Sequence, residues 1–492
     1  MKYGEGNEMR GLTVENIAKV LDACVYKVEG SVPRRENLAL PAKEASAVVI
    51  DSRLCEEDCV FVATKGERVD GADFIGSCFE KGALATVTER MPVEGSADGI
   101  WIVVDDSLKA LKKLAAFYRE QMSNVKIVGI VGSVGKTSTK ELTAAALSTK
   151  YSVLATQGNL NNEIGVPITL LRIRDCHEVA VVEMGISDFG EMSRLGAMVR
   201  PDIVLFTNIA PCHLEALGDL SGVLKAKTEI FGYLRPKGAV VLNGTDAMLR
   251  TIGEVRGADL YFYGPDSCMK AENVRDEGIE GSFFEAVFDD GNDSERFEVR
   301  LNLPGSHMIG NALGAALVAR LLGISGNDAA KGLETVSSSK TGRSVLETVD
   351  EIDYINDAYN ASPLSVKAAI DILAAVKGRK AAILGDMLEL GKDECRLHKE
   401  IGEYAASHGV DVLICAGKLS KNTIEGFENI VSGNDTSKVK GDKRTFWFES
   451  TDELTASGKL PLKKGDTVLI KASHGMHFEK ILTAVKEGRI KI

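Results

Sequence analysis

The sequence predicts an α/β protein of three successive domains, and three observations predict it. Short apolar runs alternate with helix-length amphipathic segments, no segment repeats at a fixed period, and the alternation falls into three blocks. The expected domains are residues 1–122, a small α/β unit; 123–340, a parallel-sheet unit; and 341–492, a Rossmann-like α/β unit, with a linker at the small, flexible cluster Ser337-Ser-Ser-Lys-Thr-Gly342.

In the first block, residues 12–21 carry a helical pattern, and the apolar runs 47–50, 60–63 and 100–104 read as strands. The second block opens at 125–131 with mostly β-branched residues, the composition of a strand buried on both faces. Runs at 179–182, 203–206 and 239–242 follow, separated by helix-length segments, so a parallel sheet with crossover helices is expected. Residues 257–300 turn polar and turn-rich, with Asp289-Asp-Gly-Asn-Asp293 as a hairpin tip, which predicts an antiparallel addition at the sheet edge before a helix at 313–322. Strands at 354–355, 380–384, 412–415 and 467–470 define the third block.

Composition narrows the function. A net charge of -12 argues against a surface that neutralises nucleic-acid phosphates or lies on anionic lipid, so a small-molecule substrate is expected and a nucleic-acid partner is not. Nine cysteines, an odd number scattered over 492 residues, fit a reducing cytoplasm better than a disulfide framework. Cys55 and Cys59 lack a second pair at ligand spacing, so no structural zinc is expected. Acidic residues Glu5, Glu8, Glu15 and Asp22 stand where a signal peptide would be basic then apolar, and no charge-free run is long enough to span a bilayer. A cytoplasmic monomer that is not membrane-embedded is expected.

The chemistry begins directly after the 125–131 run, at Gly132-Ser-Val-Gly-Lys-Thr-Ser138, followed by a good helix-forming segment. Strand, glycine turn, Gly-Lys-Thr and helix in that order make a phosphate cradle. Backbone N–H groups of Gly132, Ser133, Val134, Gly135 and Ser138 can approach the phosphates, Lys136 reaches the outer ones, and the Thr137 hydroxyl can hold Mg²⁺. The loop is short: Ile130 stands where the longer pattern has glycine. ATP binding is the strongest inference from the residues themselves. Glu183 ends one predicted strand and His213 follows another, and ligands of open parallel sheets collect at such carboxyl ends, so both are candidate metal ligands facing the loop.

Four ordered motifs resemble those of the Mur ligase family, the ATP-dependent amide-forming enzymes of peptidoglycan synthesis, whose relatives include folylpolyglutamate synthetases. They are the 132–138 loop, Gly158-Asn-Leu-Asn-Asn-Glu-Ile-Gly-Val-Pro167, Glu183-Met-Gly185, and Asn208-Ile-Ala-Pro-Cys-His213. The resemblance implies ATP and two Mg²⁺ ions, one held by Thr137 and Glu183, the other by Glu183, His213 and a carbamylated Lys227. Taken without it, Lys227 reads as a helical surface lysine. It further implies that Asn162, Asn311 of the Gly305-Ser-His-Met-Ile-Gly-Asn311 segment, Arg343 and Asp357 meet the nucleotide, with domain closure bringing Asp357 to Lys136. Met308 departs from the asparagine usual after His307 in the family.

Asp51-Ser-Arg53 resembles the part of the first domain that grips a UDP-linked substrate, which makes Ser52 and Arg53 candidate contacts, while Asp51 can equally cap a turn. Asp357-Ala-Tyr-Asn-Ala-Ser-Pro363, which contributes Asn360 as a substrate contact, and Gly385-Asp-Met-Leu-Glu-Leu-Gly391 are similar to the branch that adds D-alanyl-D-alanine to a UDP-N-acetylmuramoyl tripeptide through an acyl-phosphate. Another Mur-type or folylpolyglutamate-type ligase is the alternative. Lys471-Ala-Ser-His474 replaces the family's usual Lys-Gly-Ser-Arg, which leaves the partner of the dipeptide carboxylate unassigned.

Overall fold

The computed structural model describes residues 8–35, 40–66, 69–338, 345–432 and 443–491. Among these residues the strands form three sheets of six, nine and six strands, one in each block of the sequence.

In the first sheet the antiparallel hairpin Cys24–Glu29 and Val32–Arg35 joins the antiparallel neighbour Gly99–Val103, and Ala85–Thr88, Val60–Val62 and Val48–Val49 continue in parallel. The hairpin leaves little mark on the sequence because its exposed strand Val32–Arg35 alternates weakly. Helix Ser107–Gln121, capped by the Asp106 side chain on the Lys109 N–H, fastens this unit to the next. It buries Leu111, Leu114 and Tyr118 in one apolar cluster that also takes in a face of the central sheet. The Tyr118 hydroxyl donates to the Ile173 carbonyl at 2.7 Å, and the fully buried Arg119 donates to the Val199 carbonyl at 3.1 Å.

The central sheet runs in the order Val153–Ala155, Val179–Glu183, Lys126–Val131, Ile203–Phe206, Gly238–Asn243, Ala258–Tyr263, Met269–Asp276, Ser282–Asp289, Ser294–Leu301. Its core strands are parallel, and the last three carry the antiparallel edge expected of the polar stretch, with hydrogen bonds closing the 289–293 turn. All of Lys126–Val131 except Lys126 is buried. From this strand the chain first fills one side of the sheet and then crosses to Ile203–Phe206 on the other, so the turn after Val131 lies where strand order reverses and a crevice opens. Helix His307–Leu321, apolar around its whole circumference, is buried against the sheet and helix Lys136–Leu147. It starts six residues before the sequence reading placed it, since Gly310 and Gly314 weaken the helical signal.

The third sheet has the order Val345–Val349, Ile352–Asn356, Thr467–Lys471, Lys380–Gly385, Val412–Ala416, Arg444–Phe448, parallel except for the first pair, with an apolar cluster on each face. Helix Pro363–Ala374 starts where Ser362 and Ser365 form a reciprocal cap with Pro363 in the first turn. No helix among the described residues is long and apolar enough to cross a membrane.

Candidate active site

The loop after Val131 is held closely by its neighbour in the sheet. Gly132 has φ +150°, and a Cβ there would lie 1.9 Å from Thr207 Oγ1, so only glycine lets the loop pass that close to the end of the Ile203–Phe206 strand. The Val134 N–H donates to Asn208 Oδ1 at 2.9 Å, the Ser133 N–H to the Asn208 carbonyl at 2.9 Å, and the Thr207 hydroxyl to the Val134 carbonyl at 2.6 Å. Gly135, at φ +84°, precedes helix Lys136–Leu147, which has no side-chain cap, so its first amides stay available to an anion. Lys136 Nζ folds back onto the Gly132 and Ser133 carbonyls at 2.9 and 3.2 Å. Ser138 is buried in that first turn.

Glu183 ends the strand beside the loop, paired in register with Ile130. Its Oε1 accepts from Asn161 Nδ2 at 2.8 Å and from the Thr137 hydroxyl at 3.3 Å. Its Oε2 is buried with no hydrogen-bond partner among the described residues. An anionic oxygen left bare in the interior costs free energy that a cation would recover. Thr137 and Glu183 therefore fit a hard metal ion.

Lys227, in helix Leu220–Thr228, is buried. This corrects the reading of it as a surface lysine: the helix turns this side chain inward along with Val223 and Ala226. Burial, aided by the positive charge of Lys136, lowers its pKa to about 8, with Cys212 pulling weakly the other way. His213 stands at φ +49° before helix Leu214–Leu217, and its Nδ1 lies 2.5 Å from Glu389 Oε2 of the third unit. Burial lowers the imidazole pKa; Glu389 raises it, and the charges of Lys227 and Lys136 lower it. Lys136, His213 and Lys227 thus share one electrostatic neighbourhood. No group of three or more His, Cys, Asp or Glu side chains among the described residues has the spacing of a ready metal site. A carbamate on Lys227 would supply the missing oxygen ligand, and the lowered pKa suits its formation.

Models of three Mur ligase segments match the chain: the Mur ligase family catalytic domain over residues 44–119, the Mur ligase middle domain over 130–319, and the Mur ligase glutamate ligase domain over 343–474. The UDP-N-acetylmuramoyl-tripeptide–D-alanyl-D-alanine ligase of Bacillus subtilis (strain 168) is 34% identical over 97% of this chain and 98% of its own length. The ligase of the same name from Escherichia coli (strain K12) is 33% identical over 90% of this chain and 94% of its own. The chain belongs to the Mur ligase family. Among solved Mur ligases, MurF from Acinetobacter baumannii superposes with TM-score 0.81 at 28% identity, covering 97% of this chain and 99% of that one. MurF from Thermotoga maritima in complex with ADP superposes with TM-score 0.70 at 28% identity, covering 90% and 97%.

The remaining residues expected from the Mur ligase resemblance are placed unevenly. Asn311 lies against the loop, 3.4 Å from the position of a Cβ on Gly135. Asn162 accepts from the Ile164 and Gly165 N–H groups at 3.1 and 2.9 Å and so holds the start of helix Gly165–Leu170. Its neighbour Asn161 is the one that reaches Glu183. Asp357 is buried and ion-paired with the buried Lys471, which also donates to the Asn360 carbonyl at 2.9 Å. Asp357 therefore pairs with a lysine of its own unit, and its charge also acts on His307 at the start of helix His307–Leu321. Asn360 Oδ1 accepts from the Ala361 N–H at 2.8 Å. Asp51 caps the turn Ser52–Leu54 and forms a two-pronged pair with the exposed Arg53, while the Ser52 carbonyl accepts from Lys81 at 2.7 Å. Arg343 lies outside the described residues.

Sequence reasoning did not assign Asn161, Asn208 and Glu389, each of which touches a site residue. Nothing in the pair Asn161-Asn162 tells which side chain turns inward. The contacts of Asn208 and Glu389 join segments 74 or more residues apart.

Proposed function

We propose that this chain joins D-alanyl-D-alanine to the terminal carboxylate of a UDP-N-acetylmuramoyl tripeptide, with cleavage of ATP to ADP and phosphate, in peptidoglycan precursor synthesis. The observation that carries the reading is the buried Glu183 carboxylate beside Thr137, with its Oε2 unpartnered among the described residues, at the mouth of a glycine loop whose first helical amides are uncapped. Likeness over nearly the full length to ligases of that name supports the choice of substrates.

In this reading residues 1–122 take the UDP end of one substrate, 123–340 take ATP, and 341–492 take the dipeptide. A carboxylate oxygen of the tripeptide attacks the γ-phosphorus, a C–O–P linkage forms, and the bond to the β-phosphate oxygen breaks. Lys136 and the N–H groups of residues 132–138 stabilise the charge gathering on the transferred group. The dipeptide amine then attacks the acyl carbon, loses a proton, and expels phosphate as the amide forms. Closure of the third unit over the loop excludes water, which would otherwise hydrolyse the acyl-phosphate. Two Mg²⁺ ions, one held by Thr137 and Glu183 and the other by Glu183, His213 and carbamylated Lys227, would supply further neutralisation of the phosphate oxygens.

Lys227 suits carbamylation because the neutral amine attacks CO₂, and a pKa of about 8 leaves much of it neutral. The product is an anion, so repulsion from Lys136 becomes attraction. The purified chain should release phosphate from ATP only when the UDP-tripeptide and D-alanyl-D-alanine are both present. Equal turnover with a free amino acid in place of the dipeptide would move the chain to another branch of the family.

A further inference from the structure

Glu389 lies in the segment Gly385-Asp-Met-Leu-Glu-Leu-Gly391 of the third unit, 176 positions beyond the histidine it touches in the central unit. The segment is fixed within its own unit: the Met387 N–H donates to His398 Nε2 at 2.9 Å, and the Leu388 N–H to Ser473 Oγ at 2.9 Å. The next residue crosses to the central unit, where the Leu214 N–H donates to the Glu389 carbonyl at 3.1 Å and the Glu389 carboxylate meets His213 Nδ1 at 2.5 Å. Gly391 rests against Glu215, whose N lies 3.5 Å from where a Cβ on that glycine would be. His213 and Glu389 both sit at positive φ, +49° and +63°, a backbone state that persists only where the surroundings impose it. The contact is therefore a docked seam with a main-chain component, and the charge pair is one part of it.

A carboxylate only accepts, so the proton between Glu389 and His213 belongs to Nδ1 of the imidazole. A neutral imidazole protonated on Nδ1 keeps one lone pair, on Nε2, and no hydrogen bond among the described residues engages that nitrogen. A ring nitrogen bonded to a carboxylate, with the other free for a cation, is the arrangement that orients histidine ligands and raises their basicity. We infer that Glu389 is a positioning residue for His213, holding it as the Nδ1-protonated tautomer so that Nε2 is the metal-binding nitrogen. The inference rests on the reading of His213 as a Mg²⁺ ligand given above. It carries a consequence for the assembly of the site: the unit assigned to the dipeptide orients a metal ligand of the unit assigned to ATP. Docking of the third unit and metal affinity are then coupled.

The test uses the full chain and Mn²⁺ as the probe. Long-range ¹H–¹⁵N imidazole spectra, with His213 assigned among the seven histidines through His213→Gln, report its tautomer. Electron paramagnetic resonance titration of Mn²⁺ in the presence of ADP reports affinity. The wild type should show the Nδ1-protonated form. Glu389→Ala should populate the Nε2-protonated form and weaken Mn²⁺ binding by about 10- to 100-fold. Glu389→Gln, whose amide oxygen accepts the same bond, should keep the tautomer and most of the affinity. An unchanged tautomer and Mn²⁺ affinity in Glu389→Ala would overturn the inference, as would an Nε2-protonated His213 in the wild type. The two readings separate cleanly: Mn²⁺ binding unaffected by His213→Ala removes His213 from the ligands altogether, whereas loss in His213→Ala with no loss in Glu389→Ala removes only the role of Glu389.

Discussion

Lys227 gives the sharpest quantitative prediction. Burial and the like charge of Lys136 bring its pKa from 10.5 down to about 8. At pH 7.5 about a quarter of such a lysine is neutral, against about 0.1% of an ordinary one, a difference of roughly 3 kcal/mol in the cost of baring the amine. If the neutral amine captures CO₂, enzyme stripped of CO₂ and then returned to a fixed dissolved CO₂ concentration should regain activity at a rate that follows the neutral fraction. From pH 7 to pH 8.5 that rate should rise about eightfold and then flatten, whereas an ordinary lysine would give a rise of about thirtyfold that continues past pH 9. Phosphate release follows the return of activity, and ¹³C NMR with labelled bicarbonate follows the carbamate itself. Lys227→Ala should abolish the carbamate signal and lower kcat by about 10²- to 10³-fold, with partial return in the presence of acetate. A rate that climbs thirtyfold without flattening, or a carbamate signal that survives Lys227→Ala, would refute the assignment. The sign of the stability effect follows from the same shift. The folded pKa lies below the unfolded one, so between about pH 8 and 10.5 the unfolded chain binds the extra proton. The CO₂-free protein should accordingly gain stability as pH rises through that window, and Lys227→Met should not.

Two further substitutions probe the loop and its neighbour. Glu183→Gln keeps the shape but removes the buried charge, so turnover should fall by about 10²- to 10³-fold while thermal stability in the absence of metal holds or rises by up to about 1–3 kcal/mol, readable by calorimetry with and without Mg²⁺. Gly132→Ala sets a methyl group 1.9 Å from Thr207 Oγ1 at a backbone φ of +150°, so it should destabilise the chain by at least about 2 kcal/mol in urea unfolding and abolish ADP binding by calorimetric titration.

The parts of this molecule that could be read from the residues are those set by local pattern. The strand Lys126–Val131 announces itself because all but one of its side chains must be apolar, and the polar stretch around residues 289–293 announces an edge because turn residues cluster there. Gly132 and Gly135 were legible because strand, glycine turn, Gly-Lys-Thr and helix follow one another in the residues, and their positive φ shows why glycine is required there. The inward turn of Lys227 was not, since a lysine in the last turn of a short helix gives no sign of which face it occupies. Resemblance to the family supplied it. The seam between Glu389 and His213 depends on how two units dock, and a single chain of letters carries no term for that. The same holds for the pairing of Asp357 with Lys471, 114 positions apart.

The fate of the carboxylate oxygen tests the acyl-phosphate most directly. If the tripeptide substrate is prepared with ¹⁸O in its terminal carboxylate and converted with ATP and D-alanyl-D-alanine, mass spectrometry of the released phosphate should find one labelled oxygen for each amide formed. Unlabelled phosphate accompanying amide formation would contradict an acyl-phosphate made at the Gly132–Ser138 loop.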